Sequence, residues 1–154
     1  MQTCIEMMVN HNIACREPIL ETLEKLTSED LTKDMGIGKS SIRDILVHLM
    51  NAEKYWISLL SNAKFEHLDS KDFTDISNIR TAWCEIGDRT IDFIKNLQEN
   101  QLLHVRSVMW KKGTMSFTVG KALIHMATHE THHRGLIVGL IRQMGVEPPD
   151  VNML

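Results

Sequence analysis

The sequence predicts an all-α protein: a four-helix bundle with a short hairpin-like excursion before the last helix. Two observations carry this expectation. Four segments of the 154-residue chain repeat apolar residues at spacings of three and four, as a helix with one buried face does. Between Leu102 and Thr118 that period gives way to Val105, Val108, Trp110, Met115 and Phe117 around Lys111-Lys112-Gly113-Thr114, a glycine-containing turn between β-prone runs. Four helices with one apolar stripe each pack most simply as an antiparallel-type bundle. Ten methionines suit such a core, because unbranched side chains fill gaps between helices.

The first helix is expected from about Gln2 to Leu26, with Ile5, Met8, Ile19, Leu23 and Leu26 on its stripe. Pro18 lacks a backbone donor, so a kink or break is expected there. A polar connection, Thr27 to Lys39, follows, and Ser40 or Ser41 can cap the second helix. That helix, about Ser41 to Ser61, places Ile42, Ile45, Leu49, Ala52, Trp56 and Leu60 on one face, with His48 at its edge. After a crossover from Asn62 to Thr74, the third helix runs from Thr74 or Asp75 as cap to about Leu97, through Ile76, Ile79, Trp83, Ile86, Thr90, Phe93 and Ile94. The last helix starts near Ser116 or Thr118, and Gly145 is expected to close it, with Pro148-Pro149 forbidding its continuation.

Composition bounds the function classes. Length points to a single domain over residues 1–154 that can bury a core without staples. A net charge of −3 and no basic run argue against nucleic acid as a partner. Cys4, Cys15 and Cys84 are odd in number and widely spaced, so neither a disulfide framework nor a thiolate zinc site is expected. No apolar run approaches the ~20 residues of a membrane span, and no basic-then-apolar leader precedes the first helix. A cytoplasmic protein without a membrane partner is the simplest expectation.

The densest chemistry lies in His125-Met-Ala-Thr-His129-Glu-Thr-His132-His133, which holds four of the eight histidines. With His125 at 0° and about 100° per residue, Val119, Leu123, Met126, Ile137, Leu140, Ile141 and Met144 cluster between about 60° and 160°. His129, at about 40°, and His133, at about 80°, point toward that stripe, about 6 Å apart along the axis. His125 and His132, at about 0° and −20°, turn toward solvent. Imidazoles four residues apart on one helix face can hold one metal ion through their ring nitrogens. His48, beside its own stripe, suits a ligand at the mouth of a cleft and equally a partly exposed histidine with no task. His11, His67 and His104 are expected on the surface.

Two segments, Ser41-Ile-Arg-Asp-Ile-Leu-Val-His48-Leu-Met-Asn-Ala-Glu53-Lys-Tyr-Trp56 and His129-Glu-Thr-His-His133-Arg134-Gly135, with the tail Leu140-Ile-Arg-Gln-Met-Gly145-Val-Glu-Pro148-Pro149, resemble the DinB-like (DinB/YfiT) four-helix-bundle metalloproteins. In order and spacing the resemblance covers most of the chain. It implies a divalent metal held by His48, His129 and His133, with zinc or nickel as the expected ion. It also implies a metal-dependent hydrolase or a low-molecular-weight-thiol transferase, and a homodimer. Two positions depart from the family pattern: Leu136 stands where a glutamine is usual, and the first helix has His11 and Ala14 in place of the usual aromatic. The metal trio is intact, so the departures bear on the substrate. Three neutral imidazoles leave coordination positions open, as catalytic sites require.

His129-Glu130-Thr-His-His133 also spells HExxH, in which Glu130 would be a general base acting on metal-bound water. No histidine follows it to serve as the third ligand, and an all-helical body lacks a substrate-binding strand, so a protease is not expected. Glu130 remains the candidate catalytic residue, against an ion pair with Arg134 or with an arginine of a neighbouring helix. Arg134 is expected to pair with a carboxylate, and Cys84 to be buried. Two function classes follow. One is an enzyme that turns metal-bound water or thiolate on a small molecule in a cleft lined by Trp56. The other is a non-catalytic stress-response protein with a structural or sensory metal site. Tyr55 and Ile57, outside the main stripe of the second helix, add to the expectation of a homodimer.

Overall fold

The computed structural model describes residues 2–36, 41–110 and 113–154, with the side chain of Trp110 outside that description. Five α-helices and one hairpin follow in the order α1 (Gln2–Leu23), α2 (Ser28–Thr32), α3 (Ile42–Ser61), α4 (Ile76–Lys95), β1 (Val105–Trp110), β2 (Gly113–Thr118) and α5 (Val119–Gln143). Four of the helices form the bundle, and the one-turn α2 lies in the first connection. β1 and β2 pair antiparallel, Val105 opposite Thr118 and Trp110 opposite Gly113. The expected Lys111-Lys112 turn and the alternative cap Ser40 lie outside the described residues. No helix is long and apolar enough to cross a membrane among the described residues.

Local chemistry sets the helix ends. Ser41 caps α3 by accepting from the Asp44 amide at 3.1 Å. Asp75 caps α4 through the Asn78 amide, and Thr118 caps α5 through the Lys121 amide. Each satisfies a backbone donor that has no partner inside the helix. At the other end of α5, Gly145 adopts φ +79°. Its amide reaches Arg142 O at 3.0 Å and the Val146 amide reaches Ile141 O at 3.2 Å, the paired bonds of a Schellman closure. α1 ends at Leu23, short of the expected Leu26, and it passes through Pro18 without the expected break. One turn on, the Thr22 hydroxyl bonds the Pro18 carbonyl at 2.8 Å.

The bundle is not the expected antiparallel arrangement throughout. α3 packs on α4 and α5, and α1 packs on the same two, so the successive helices α1/α3 and α4/α5 stand on diagonals. α1 and α4 run antiparallel: Gln2 donates to Ile94 O at one end, and Arg80 pairs with Glu17 and Glu24 toward the other. α3 and α5 are antiparallel too, since His48 meets His129 while Trp56 meets His125. α1 and α5 are parallel: Ile5 and Val9 share one apolar cluster with Val119 and Ala127, Ile19 and Leu23 another with Ile137 and Ile141. α3 and α4 are parallel by the same test, Ile42 with Ile76 and Leu60 with Ile94. A parallel pair needs a crossover as long as the bundle. The 20 residues of α3 rise about 30 Å at about 1.5 Å each, which takes at least about nine extended residues. The polar segment 62–75 supplies them.

The apolar core is split into those two clusters, and a buried polar layer lies between them. Asn12 and Arg16 on α1, Glu53 on α3, Thr90 on α4, and Glu130 and Arg134 on α5 are all buried at that level. Ile57 belongs to the inner cluster and Tyr55 stacks edge-on against Trp56 and Phe65. Ile57 is thus buried within the chain, while Tyr55 is half-buried.

Candidate metal centre

α3 brings His48, and α5 brings His129 and His133, to one half-buried cluster whose ligand nitrogens lie within 4.8 Å of one another. The two α5 histidines are one helical turn apart, and α3 crosses in front of them. Ring centroids are 5.0 Å from His48 to His129, 4.9 Å from His48 to His133 and 4.6 Å from His129 to His133. The Nε2 atoms of His48 and His129 are 3.2 Å apart. Nitrogens bound at about 2.0–2.1 Å to one tetrahedral ion stand roughly 3.3 Å from each other, so His48 and His129 already stand at the spacing of two ligands on one ion, with His133 in the same cluster. His125 and His132 are exposed, as their place on the helix requires.

The electrostatics favour ligation. Burial, then the neighbouring His133 and His48, lower the His129 pKa from 6.5 to about 4. At neutral pH its ring therefore offers a lone pair rather than a charge. No fourth His, Cys, Asp or Glu joins the three among the described residues, which leaves room for an exogenous ligand. A cavity of about 180 Å³ lined by Trp56, Phe117, Met115, Lys121 and His125 adjoins the cluster. The His125 ring bridges the two, 5.3 Å from Trp56 and 5.9 Å from His129. The hairpin earns its place here: β2 supplies Met115, Ser116 and Phe117 to the cavity wall.

The DinB family model matches this chain over residues 1–154. The chain belongs to the DinB family. Protein DinB of Bacillus subtilis (strain 168) is 24% identical over 147 residues, covering 90% of this chain and 84% of that relative. Among solved structures, a DinB-like protein of Bacillus cereus ATCC 10987 superposes with a TM-score of 0.68 at 22% identity, covering 88% of this chain and 89% of that one. YfiT from Bacillus subtilis, described as "a probable metal-dependent hydrolase with an unusual four-helix bundle topology", superposes with a TM-score of 0.65 at 19% identity, covering 93% and 86%. In this DinB-family member, successive helices stand on diagonals rather than side by side as in a simple up-and-down bundle.

Glu130, the candidate base, is directed away from the histidines. It is buried, and Arg16 of α1 holds both its oxygens, Nε to Oε1 at 2.9 Å and Nη2 to Oε2 at 2.7 Å. Of the expected ion pairs, the one with a neighbouring helix is formed. Among the described residues Arg134 pairs with no carboxylate: its Nη1 donates to Asn12 Oδ1 at 2.6 Å, while Arg16 occupies the buried acids. Cys84 is exposed, not buried, since it sits one residue beyond the inward Trp83 on α4. His11 is half-buried, its Nε2 3.2 Å from the Val151 carbonyl of the returning tail, whereas His67 and His104 are on the surface as expected.

Sequence reasoning gave no part in the polar layer to Asn12, Arg16, Glu53 and Thr90. Glu53 accepts from Arg16 Nη2 at 2.8 Å, Trp83 Nε1 at 3.0 Å and Thr90 Oγ1 at 2.7 Å. The Arg16 guanidinium lies 4.5 Å from the Trp83 ring centre, where a cation is attracted to the ring face. The signal was present: Ile5, Val9, Asn12, Arg16, Ile19 and Leu23 keep a 4-3-4-3-4 spacing, with two polar residues on an otherwise apolar stripe.

Proposed function

We propose that this DinB-family protein is a divalent-metal-dependent enzyme acting on a small molecule, either as a hydrolase or as a transferase to a low-molecular-weight thiol. The observation that carries the reading is the open set of three imidazoles beside a cavity large enough for a small substrate. His48, His129 and His133 hold the ion, zinc or nickel. When bound, it supplies a Lewis acid toward an oxygen or sulfur atom at the site. Trp56 and Phe117, packed edge to face at 5.4 Å, form one wall for the apolar part of the substrate, and Lys121 in the lining offers a cation to an anionic group. Glu130, held by Arg16, positions α5 and takes no proton in the reaction. YfiT's description as a metal-dependent hydrolase supports the hydrolytic branch.

The test is zinc and nickel titration of the purified chain, followed by turnover assays with and without small thiols. The wild type is expected to bind one ion per chain. His48→Ala, His129→Ala and His133→Ala should each weaken binding by orders of magnitude, with His125→Ala and His132→Ala close to wild type. Metal retained in His129→Ala but lost in His132→Ala would overturn the site. Tight binding without turnover of any ester, amide or thiol-acceptor substrate would favour a structural or sensory ion.

A further inference from the structure

A cavity of about 300 Å³ opens between α1 and α4, the edge of the bundle opposite the α3/α5 pair that carries the histidines. Ile13, Leu20, Trp83 and Ile91 make its body apolar. Its buried polar wall is the Arg16 guanidinium, in a residue only 8% exposed. Nε and Nη2 of that group are engaged by Glu130 and Glu53. Nη1 makes no hydrogen bond among the described residues. It lies 3.0 Å from the point a Cβ on Gly87 would occupy, so glycine at that position keeps the nitrogen uncovered. That N–H opens onto the cavity rather than onto another protein group, so an acceptor oxygen of a bound molecule can take the place of water there.

We propose that this cavity is a second binding site, for a small uncharged apolar molecule whose carbonyl-type oxygen accepts from Arg16 Nη1. The charges select the class. Two carboxylates already balance Arg16 from behind, and Glu17 and Asp88 line the mouth, so an anion gains no net cation there. Arg80, the other cation of the lining, is held by Glu17 and Glu24. A cation would face the donor N–H. A neutral acceptor completes the guanidinium, and the apolar walls take the rest of the molecule, as small-molecule sites do. The exposed Cys84 thiol on the same wall reports occupancy.

Fluorine NMR titration of the full chain with 4-fluoroacetophenone, 1-ethyl-4-fluorobenzene and 4-fluorobenzoate tests the site. In parallel, peptide mass spectrometry follows iodoacetamide alkylation of Cys84 against the exposed Cys4. The ketone is expected to bind about tenfold or more tighter than the ethyl compound, the range of one hydrogen bond to a charged group. It should also slow Cys84 alkylation severalfold while leaving Cys4 unchanged. Gly87→Ala, which crowds Nη1, should weaken the ketone and not the ethyl compound. Equal binding of ketone and ethyl compound would leave only a greasy groove and overturn the proposal. Tightest binding of the benzoate, or ketone binding that leaves Cys84 unprotected, would do the same, as would no binding of any probe. Should Gly87→Ala not fold, the wild-type ranking and the Cys84 protection decide the matter.

Discussion

Replacing Arg16 by Met removes one side chain and strands two buried carboxylates. Glu53 is 3% exposed and Glu130 is 8% exposed, and Arg16 binds them at 2.8 and 2.7 Å. Removing one partner of a buried pair leaves an uncompensated charge and costs about 3–5 kcal/mol. A domain of this size is stable by only about 5–15 kcal/mol, so Arg16→Met should lose about a fifth or more of its stability at neutral or mildly alkaline pH. The sign of the pH dependence follows from the carboxyls. Burial already pushes the Glu53 pKa up, with Arg16 opposing it, and in the variant that opposition is gone. A carboxyl whose folded pKa lies above its unfolded value contributes stability at low pH and loses it as pH rises through the folded pKa. The variant should therefore lie nearer to wild type at about pH 5 than at about pH 8. Guanidinium chloride unfolding of both proteins at the two pH values, followed by circular dichroism, measures this. A deficit under about 1 kcal/mol at the higher pH, or one that does not change with pH, would refute the reasoning.

Chelation should leave the helical circular dichroism signal intact, because two apolar clusters and a satisfied polar layer fold the chain without an ion. In the chelated protein the His129 ring is held down to about pKa 4, below its unfolded value of about 6.5. The unfolded chain thus binds the proton first, so this histidine's contribution to stability is present above about pH 6.5 and lost as pH falls toward 4. A melting temperature that rises on acidification across that window would contradict it. Gly145→Ala forces a Cβ onto a backbone at φ +79°; it should lower stability by about 1 kcal/mol, read as a drop in melting temperature.

Legibility in the sequence tracked how local each cause was. Helix ends were readable because Ser41, Asp75, Thr118 and Gly145 act on amides and carbonyls within a few residues. The hairpin was readable from its change of period. His129 and His133 were readable as a pair because one helix fixes their relation. His48 was not readable from its own helix, since an edge position means nothing until the opposing helix is placed; family resemblance supplied that. The polar layer escaped for the same reason. Glu53 flanks the stripe of α3 and Arg16 interrupts that of α1, and only the α1–α5 and α3–α5 packing shows that they meet. Helix direction was likewise non-local: apolar periodicity is blind to whether neighbours run parallel. Only the long segment 62–75 hinted at it.

The position of Arg16 carries a consequence for the metal ligands. It grips Glu53, five residues beyond His48 on α3, and Glu130, adjacent to His129 on α5. Apolar contacts between two antiparallel helices tolerate a slide of one turn with modest loss, because similar side chains recur at that spacing. The bidentate Arg16–Glu130 pair and the Arg16–Glu53 bond do not, since a slide of one turn breaks them. Arg16, from a helix with no ligand of its own, therefore holds the two ligand helices in register. The triple variant Arg16→Met/Glu53→Gln/Glu130→Gln separates register from stability. Neutralising both acids removes the stranded charges but leaves buried amides with fewer partners, so the triple variant should recover part of what Arg16→Met loses. It should not recover zinc affinity, which is expected to stay about 10–100-fold below wild type, the usual effect of removing groups that orient metal ligands. A triple variant that folds and binds zinc as tightly as wild type would show that apolar packing alone aligns His48 with His129 and His133.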